Sequence, residues 1–536
     1  MNIFRLNKDF YVFLLIFASS TLFSQNANLK PIINVDYLPV RSSMLSEADL
    51  KRWNHLDVLN DTVPGMSIDR AYTEIIKDKV GKKVIVAVID SGVDINHEDL
   101  KPQIYVNVNE TLNGKDDDNN GKIDDIHGWN FLGKSSDENL ELTRIVKRGD
   151  TKSANYKRAK AELDAKLKEL KPLKKELDFF DEPNTILAAY LKKDNYTIDD
   201  LNQIPDSAPD SVIRAKKIMD SFFYSGNDLD NLTELKEYIN SQLNANLNVN
   251  FDGRSVVGDN PYDINDVDYG DNDVIGNLGD ALHGTHVSGI IAQTRANGLG
   301  GDGVASEVAV IMPIRAVPNG DEYDKDIALA IRYAVDNGAK VINGSFNKAY
   351  SQNPEWVIDA IKYAASKDVL IVVAAGNESV NLNPKSGKDF QYFPNDRLPN
   401  SKSEYANNFI VVGALNPTLG SEMIAEFSNY GSKDVDIFAP GAQIYSTIPD
   451  GKYAFEDGTS MASPNVAGVA ALIRAYYPNL TAAEVKKIIL DSGITFNQKV
   501  SLPGNPNKKI NFKELTSSGK IINAYNALLM AEELSK

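Results

Sequence analysis

The chain contains no cysteine in 536 residues. That excludes disulfides, thiolate nucleophiles, cysteine–zinc sites and attachment of a lipid to an N-terminal cysteine. Histidine is scarce: His55, His97, His127, His283 and His286 are the full set, so any chemistry that needs an imidazole base has few choices. GxSxG is absent, which removes the nucleophile elbow of lipase-type enzymes, and so is HExxH. Excess positive charge is missing as well. The formal net charge is −17, which makes nucleic acid and anionic membrane surfaces poor partners for the molecule as a whole. No apolar run reaches the ~20 residues of a spanning helix, so no stable membrane span is expected. The run Phe10 to Phe23 follows Arg5 and Lys8 and precedes Ser24 and Gln25. It reads as an export signal over residues 1–24, which implies a periplasmic, cell-surface or extracellular protein.

The composition that remains is ordinary for a globular chain, 42% hydrophobic and 24% charged. Residues 25–52 form a polar, irregular extension with Pro31 and Pro39. From Lys83 the character changes, because Val84-Ile85-Val86-Ala87-Val88-Ile89 is a continuous run ending at Asp90. Such runs suit strands buried on both faces of a parallel sheet. Others follow at Val308–Ile311, Lys340–Asn343, Val369–Ala375, Phe409–Gly413 and Val435–Phe438. Between them Ile327, Ile331 and Ala334 share one helical face before Asn337-Gly338, and Trp356, Ile358, Ile361 and Ala364 do so before Lys367-Asp368. The alternation predicts an α/β, three-layer architecture with a mainly parallel sheet flanked by helices.

Residues 137–250 break this rhythm. They are rich in Lys, Glu, Asp and Leu and hold no strand-like run. Leu163, Leu167, Leu170, Leu173 and Leu177 make one helical stripe, which Pro172 is expected to kink or split. Leu229, Leu232, Leu235, Ile239 and Leu243 make a second. The block reads as a helical insertion within a main domain over residues 53–536, with a solvated coiled appendage or a partner-binding arm as the alternative.

Three motifs carry chemistry. Asp90 in Val88-Ile89-Asp90-Ser91-Gly92 ends a buried strand, where α/β folds place their sites, although a turn or cap aspartate would look the same. His283-Gly284-Thr285-His286-Val287-Ser288-Gly289 opens an apolar helix, in which His286 reads as a packed histidine. Gly458-Thr459-Ser460-Met461-Ala462-Ser463-Pro464 puts a serine at a helix start, near N–H groups that can stabilise an oxyanion, although an N-cap serine is commonplace. Together these motifs resemble the subtilisin-like serine proteases, the subtilase family or peptidase family S8, over about residues 80–135 and 255–495. The Asp, His, Ser order along the chain is that family's.

The resemblance implies a secreted serine endopeptidase acting on protein or peptide substrates. Asp90, His283 and Ser460 would form its triad and Asn377, in Ala375-Gly376-Asn377-Glu378, its oxyanion donor. It also implies that Val341 to Asn347 pairs with extended substrate, through Gly344, Ser345 and Phe346, while Glu378 reads either as a residue at the rim of the primary pocket, favouring a basic side chain, or as a solvated glutamate. Where family members often have Ser-Leu-Gly-Gly, this chain reads Ser345-Phe346-Asn347-Lys348, which alters the pocket wall. Trp53 to Tyr72 already resembles the start of the catalytic body. Too few residues precede it for a folding propeptide, so the chain is expected to fold without one or with help from the insertion.

A cation is expected too. Asp116, Asp118 and Asn120 are spaced two apart, Gly121 permits a sharp turn, Lys122 would offer its carbonyl and Asp124 a further oxygen. His127 stands where a paired calcium-sensor loop would carry its bidentate Glu, so structural Ca²⁺ is the expectation. A second acidic run, Asp259 to Asp273, reads either as another ion site or as a polar loop.

Overall fold

A computed structural model describes residues 29–41, 43–383, 392–397, 401 and 403–536. The expected export segment, residues 1–24, lies outside the described residues. Among those described, no helix is long and apolar enough to cross a membrane.

The apolar runs assemble as a nine-stranded sheet. Its spatial order is Ile494–Thr495, Lys520–Ile521, Ile437–Pro440, Phe409–Leu415, Leu370–Ala374, Val341–Gly344, Val84–Asp90, Ala309–Arg315 and Trp129–Asn130. Every pairing is parallel except that of the edge strand Ile494–Thr495. Near-complete burial of the central strands on both faces explains why they are apolar without alternation. The chain leaves Val84–Asp90 for Ala309–Arg315 on one side and then returns to Val341–Gly344 on the other. That reversal creates a crevice at the carboxyl ends of these strands, and Asp90 closes the central one.

Two helices run beneath the crevice. Leu282–Ala292 carries His283, and Thr459–Tyr476 begins beside Ser460. Residues Met461 to Ala475 are all buried, which explains the Ala- and Gly-rich sequence. A Cβ on Gly468 would come within 2.6 Å of Val304 Cβ. Trp53 is fully buried, its indole donating to Ala442 O at 3.0 Å. The extension joins this body too. Ile32 and Val35 are buried, and Ile32 exchanges hydrogen bonds with the Asn526 side chain.

The insertion is helical, with Glu141–Arg148, Ala154–Asp178, Asp181–Leu191, Ile198–Asn202, Asp210–Tyr224 and Leu229–Ser241. Its outer part closes a core of its own around Leu177, Leu187, Leu201, Met219, Leu232 and Ile239. A separate neck cluster unites Leu142, Ile145, Ala159, Leu163 and Leu247 with Tyr350 of the main body. The leucine stripe on Ala154–Asp178 therefore serves two cores, with Leu170 bordering both. Pro172 does not split this helix, which runs unbroken through it. Proline removes one N–H, so the orphaned carbonyl is that of Lys168, on an exposed turn where water can satisfy it. In the second stripe Leu235 is 40% exposed and departs from the buried pattern.

Candidate active site

Asp90 is almost wholly buried. Its Oδ1 accepts from Ser91 N at 2.8 Å and bonds His283 Nδ1 at 2.7 Å, while Oδ2 has no partner. Gly284 makes the approach possible, since a Cβ there would lie 2.1 Å from Gly92 O and 3.1 Å from Asp90 Cβ. Burial of the His283 ring works against its charged form. The Asp90 charge and hydrogen bond, with a smaller contribution from Glu456, outweigh it and raise the pKa above the ordinary histidine value. The ring is still 39% exposed at the crevice, so its far nitrogen is open to a reactant.

The other four histidines have different surroundings. His55 Nδ1 meets Arg295, His97 Nε2 meets Lys452 O, and His127 Nδ1 meets Tyr105 O. His286 Nε2 meets Ala454 O, and burial pulls its pKa down to about 4. It is the packed helix histidine that the sequence suggests. Of the five, only His283 is hydrogen-bonded to a carboxylate.

Ser460 lies at the second position of its helix. Pro464 has no N–H to give the Ser460 carbonyl four residues back, and Ser345 Oγ donates to that carbonyl instead, at 2.8 Å. Ser345 Oγ in turn accepts from Asn343 Nδ2, and Asn343 Oδ1 accepts from Ser463 Oγ. This chain of bonds stitches the start of the serine helix to the end of strand Val341–Gly344. Ser460 Oγ donates to Ser345 O at 3.1 Å. The hydroxyl therefore points to the Ser345 carbonyl rather than to the imidazole in this arrangement.

Asn377 follows strand Leu370–Ala374. Its Oδ1 accepts from Thr459 N and Thr459 Oγ1, both at 2.9 Å, which caps the serine helix from outside. Its Nδ2 and the Ser460 backbone nitrogen each lie 3.5 Å from the point where a Gly458 Cβ would sit. Two N–H donors thus converge beside the serine, where the helix dipole is positive. Glu378 Oε2 accepts from Asn429 Nδ2 at 2.6 Å, and both atoms approach Gly376, as does Asn347 Nδ2. Gly344 and Phe346 form the opposite wall. A Cβ on Gly344 would meet the Phe346 ring at 3.0 Å.

The acidic loop is organised differently from its spacing. Among the described residues, the one acid cluster tight enough for a metal joins Asp118 to Glu110 and Asp125, whose ligand atoms lie within 4.8 Å of one another. Asp116 accepts from Asn120 N and Gly121 N, and Asp124 accepts from Asn113 N and Gly114 N. The Asn120 amide donates to Asp125, and Lys122 Nζ donates to Val267 O. Glu110, which lies outside the acidic run, joins the cluster and also accepts from Asp117 N, Asp118 N and Asp124 N. Burial pushes the Asp125 carboxyl up, and the Asp118 charge adds to this against donors from Tyr333 and Asn120. In the second acidic run Asp259 is matched by Arg254 and Lys325, both at 2.7 Å.

Three relatives share part of this chain. It is 39% identical over 226 residues to the thermophilic serine proteinase of Bacillus sp. (strain AK1). It is 40% identical over 213 residues to the cell wall-associated protease of Bacillus subtilis (strain 168) and 37% over 207 residues to thermitase of Thermoactinomyces vulgaris. These stretches cover 41%, 40% and 38% of this chain but 47%, 21% and 65% of the relatives' own lengths. The family model described as the subtilase family matches residues 81–508. That match takes in every strand of the sheet except Lys520–Ile521, together with the crevice and every residue assigned to it above, and the chain belongs to the subtilase family.

Proposed function

We propose that the chain is an exported serine endopeptidase that hydrolyses peptide bonds through Asp90, His283 and Ser460. The observation that carries this reading is the 2.7 Å bond between Asp90 Oδ1 and His283 Nδ1, made at the end of the central strand and beside the start of the serine helix. With Nδ1 as donor to Asp90, Nε2 is left as the acceptor, which is the tautomer a general base requires. Ser460 would have to turn its hydroxyl from the Ser345 carbonyl to this nitrogen, and catalytic hydrogen bonds commonly tighten only with substrate bound. Ser460 Oγ then attacks the scissile carbonyl as His283 takes its proton. The Asn377 amide and the Ser460 N–H stabilise the oxyanion. His283 returns the proton to the leaving amine, and water repeats the sequence on the acyl-enzyme.

Substrate would pair in extended form with Gly344, Ser345 and Phe346, and its side chain beside Gly376 would face Asn347 and Glu378. Backbone pairing of this kind gives affinity with little sequence preference. Glu110, Asp118 and Asp125 would hold a structural calcium ion, since hard carboxylate oxygens suit it and its charge would relieve the crowding at Asp125. Export is supported by the basic and apolar pattern of residues 1–24.

A fluorophosphonate probe tests the assignment directly. It should label the wild-type chain at Ser460, and Ser460→Ala should abolish both labelling and cleavage of unfolded protein substrates. Loss of the nucleophile costs about 10⁶ in turnover in subtilisin itself. A folded wild-type chain that takes no label, or a Ser460→Ala variant that still cleaves, would sink the reading.

A further inference from the structure

The segment that follows the substrate-pairing strand is held by the insertion. Ser345 is bonded to Ser460 through both its carbonyl and its hydroxyl. Three residues later, Lys348 replaces a small residue of the family pattern, and its side chain is 2% exposed. Its ammonium lies 2.9 Å from Asp324 Oδ1 and 2.6 Å from Glu322 O, with Glu141 Oε2 of the insertion at 3.9 Å. Glu141 is itself paired with Arg144 at 2.7 Å, and Arg144 donates to Asp321 O and Glu322 O. The Lys348 backbone exchanges two 2.9 Å hydrogen bonds with Phe393, so the pocket wall is fixed on its outer side as well. The next two residues meet the long helix of the insertion. Arg158 donates to Ala349 O at 3.2 Å and stacks 4.1 Å over the Tyr350 ring, while Tyr350 OH donates to Glu162 Oε2 at 2.8 Å. Arg158 and Glu162 are one turn apart and share a helix face.

We propose that the helical insertion is a specificity-determining support of the substrate cleft, with Lys348 as the positioning residue that locks the segment Ser345–Tyr350 to the insertion's neck. The proposal rests on the peptidase reading for its reaction, but its contacts stand apart from the triad. A segment tied at Ser345 to the nucleophile and at Lys348 to Tyr350 to the insertion has little freedom between, and Phe346 and Asn347 lie in that interval. Loosening the outer tie shifts both side chains in the pocket and leaves Ser460, Asn377 and the Asp90–His283 pair anchored by their own bonds. The role is one of positioning, because none of Lys348, Arg158 or Glu162 touches the reacting atoms.

The experiment compares wild type with Lys348→Met and Glu162→Ala, which removes the acceptor of the Tyr350 hydroxyl, using a tetrapeptide anilide library varied only at the residue before the scissile bond. Both variants should raise KM at least about fivefold for the preferred members and flatten the preference, with fluorophosphonate labelling of Ser460 within about twofold of wild type. The tightest binder among the same sequences, screened as uncleaved amides against Ser460→Ala, should bind Ser460→Ala/Glu162→Ala more weakly by the same ratio. That arm reads the cleft without requiring turnover, so a wild-type chain that takes no label sinks the peptidase reading and leaves this comparison intact. Glu162 lies on the surface, and its variant keeps the proposal falsifiable should Lys348→Met fail to fold. An unchanged KM and preference in Glu162→Ala, or losses in every variant that only follow the fraction of labelled enzyme, would overturn it.

Discussion

The catalytic body and the helical insertion bury apolar surface by opposite means. In the body, strands such as Phe409–Leu415 are buried along their whole length, and the serine helix is enclosed from Met461 to Ala475. In the insertion the outer helices each bury one stripe. Ala154–Asp178 buries Ala159, Leu163 and Leu177 over 25 residues. The body can therefore hold charged groups rigidly, as it does for Asp90, while the insertion has a smaller core and a mostly solvated surface. Catalysis requires groups fixed to fractions of an ångström, and the proposed catalytic groups lie in the body. What the insertion adds passes through its neck.

If that division holds, the largest effects on turnover come from the body. Asp90→Asn should lower kcat by about 10⁴, the loss found when this position is neutralised in serine-protease triads. It should also move the acid limb of kcat/KM. The base works only when neutral, and in wild type its pKa is raised, so activity is lost as the pH falls through a value above the ordinary histidine one. Asparagine removes the Asp90 charge while burial remains, so the limb should shift to lower pH. The sign for stability is the reverse. The raised folded-state pKa makes the charged pair stabilising at acid pH, and that contribution is lost as the pH climbs through it. A pH profile of both variants checks the shift, and an unmoved limb would remove Asp90 from its role.

Asn377→Ala comes next, with kcat lower by about 10²–10³ and KM little changed, as for the corresponding donor in subtilisin itself. Because Asn377 Oδ1 also caps the serine helix, Asn377→Asp sharpens the test. It keeps the acceptor and loses the donor, so its kcat should fall nearly as far while thermal stability stays closer to wild type. Steady-state kinetics beside a melting curve separates the two roles.

The acid cluster should act on lifetime rather than on the chemical step. Chelation of calcium, or Asp118→Asn, should speed thermal inactivation by about tenfold, with initial rates at low temperature nearly unchanged. Equal inactivation with and without chelator would leave Glu110, Asp118 and Asp125 as a cation-free network.

Much of this was legible in the sequence, and the reasons are physical. A strand buried on both faces must be apolar throughout, so Val84 to Ile89 announces itself, and observed strand ends fall within a few residues of the expected ones. The meeting of Asp90 and His283 was legible because their motifs demand small residues at set places, such as Gly284 beneath the Asp90 turn. The cation cluster was legible only in part. Spacing brings Asp116, Asp118 and Asp124 into a ligand set, whereas the tight cluster joins Asp118 to Glu110 and Asp125, which spacing does not single out. Lys348 stood out only as a departure from a family pattern. Its partners Asp324 and Glu141 are distant in sequence, and no local periodicity links them.

The smallest effects on turnover should come from the insertion's outer core, and here the comparison can be broken outright. Leu187 is fully buried among the outer helices, and Leu163 is buried in the neck beside Tyr350. Leu187→Ala and Leu163→Ala remove the same atoms, and each should cost about 2–5 kcal/mol locally through lost burial and a residual cavity. Hydrogen exchange should find the outer helices opening more readily in Leu187→Ala while strands of the body stay protected, with kcat and KM within about twofold of wild type. Leu163→Ala should instead raise KM, because the helix face carrying Arg158 and Glu162 loses its seat against Tyr350. Should Leu187→Ala disturb KM as much as Leu163→Ala does, the two cores act as one unit, and the whole insertion, not its neck alone, supports the cleft.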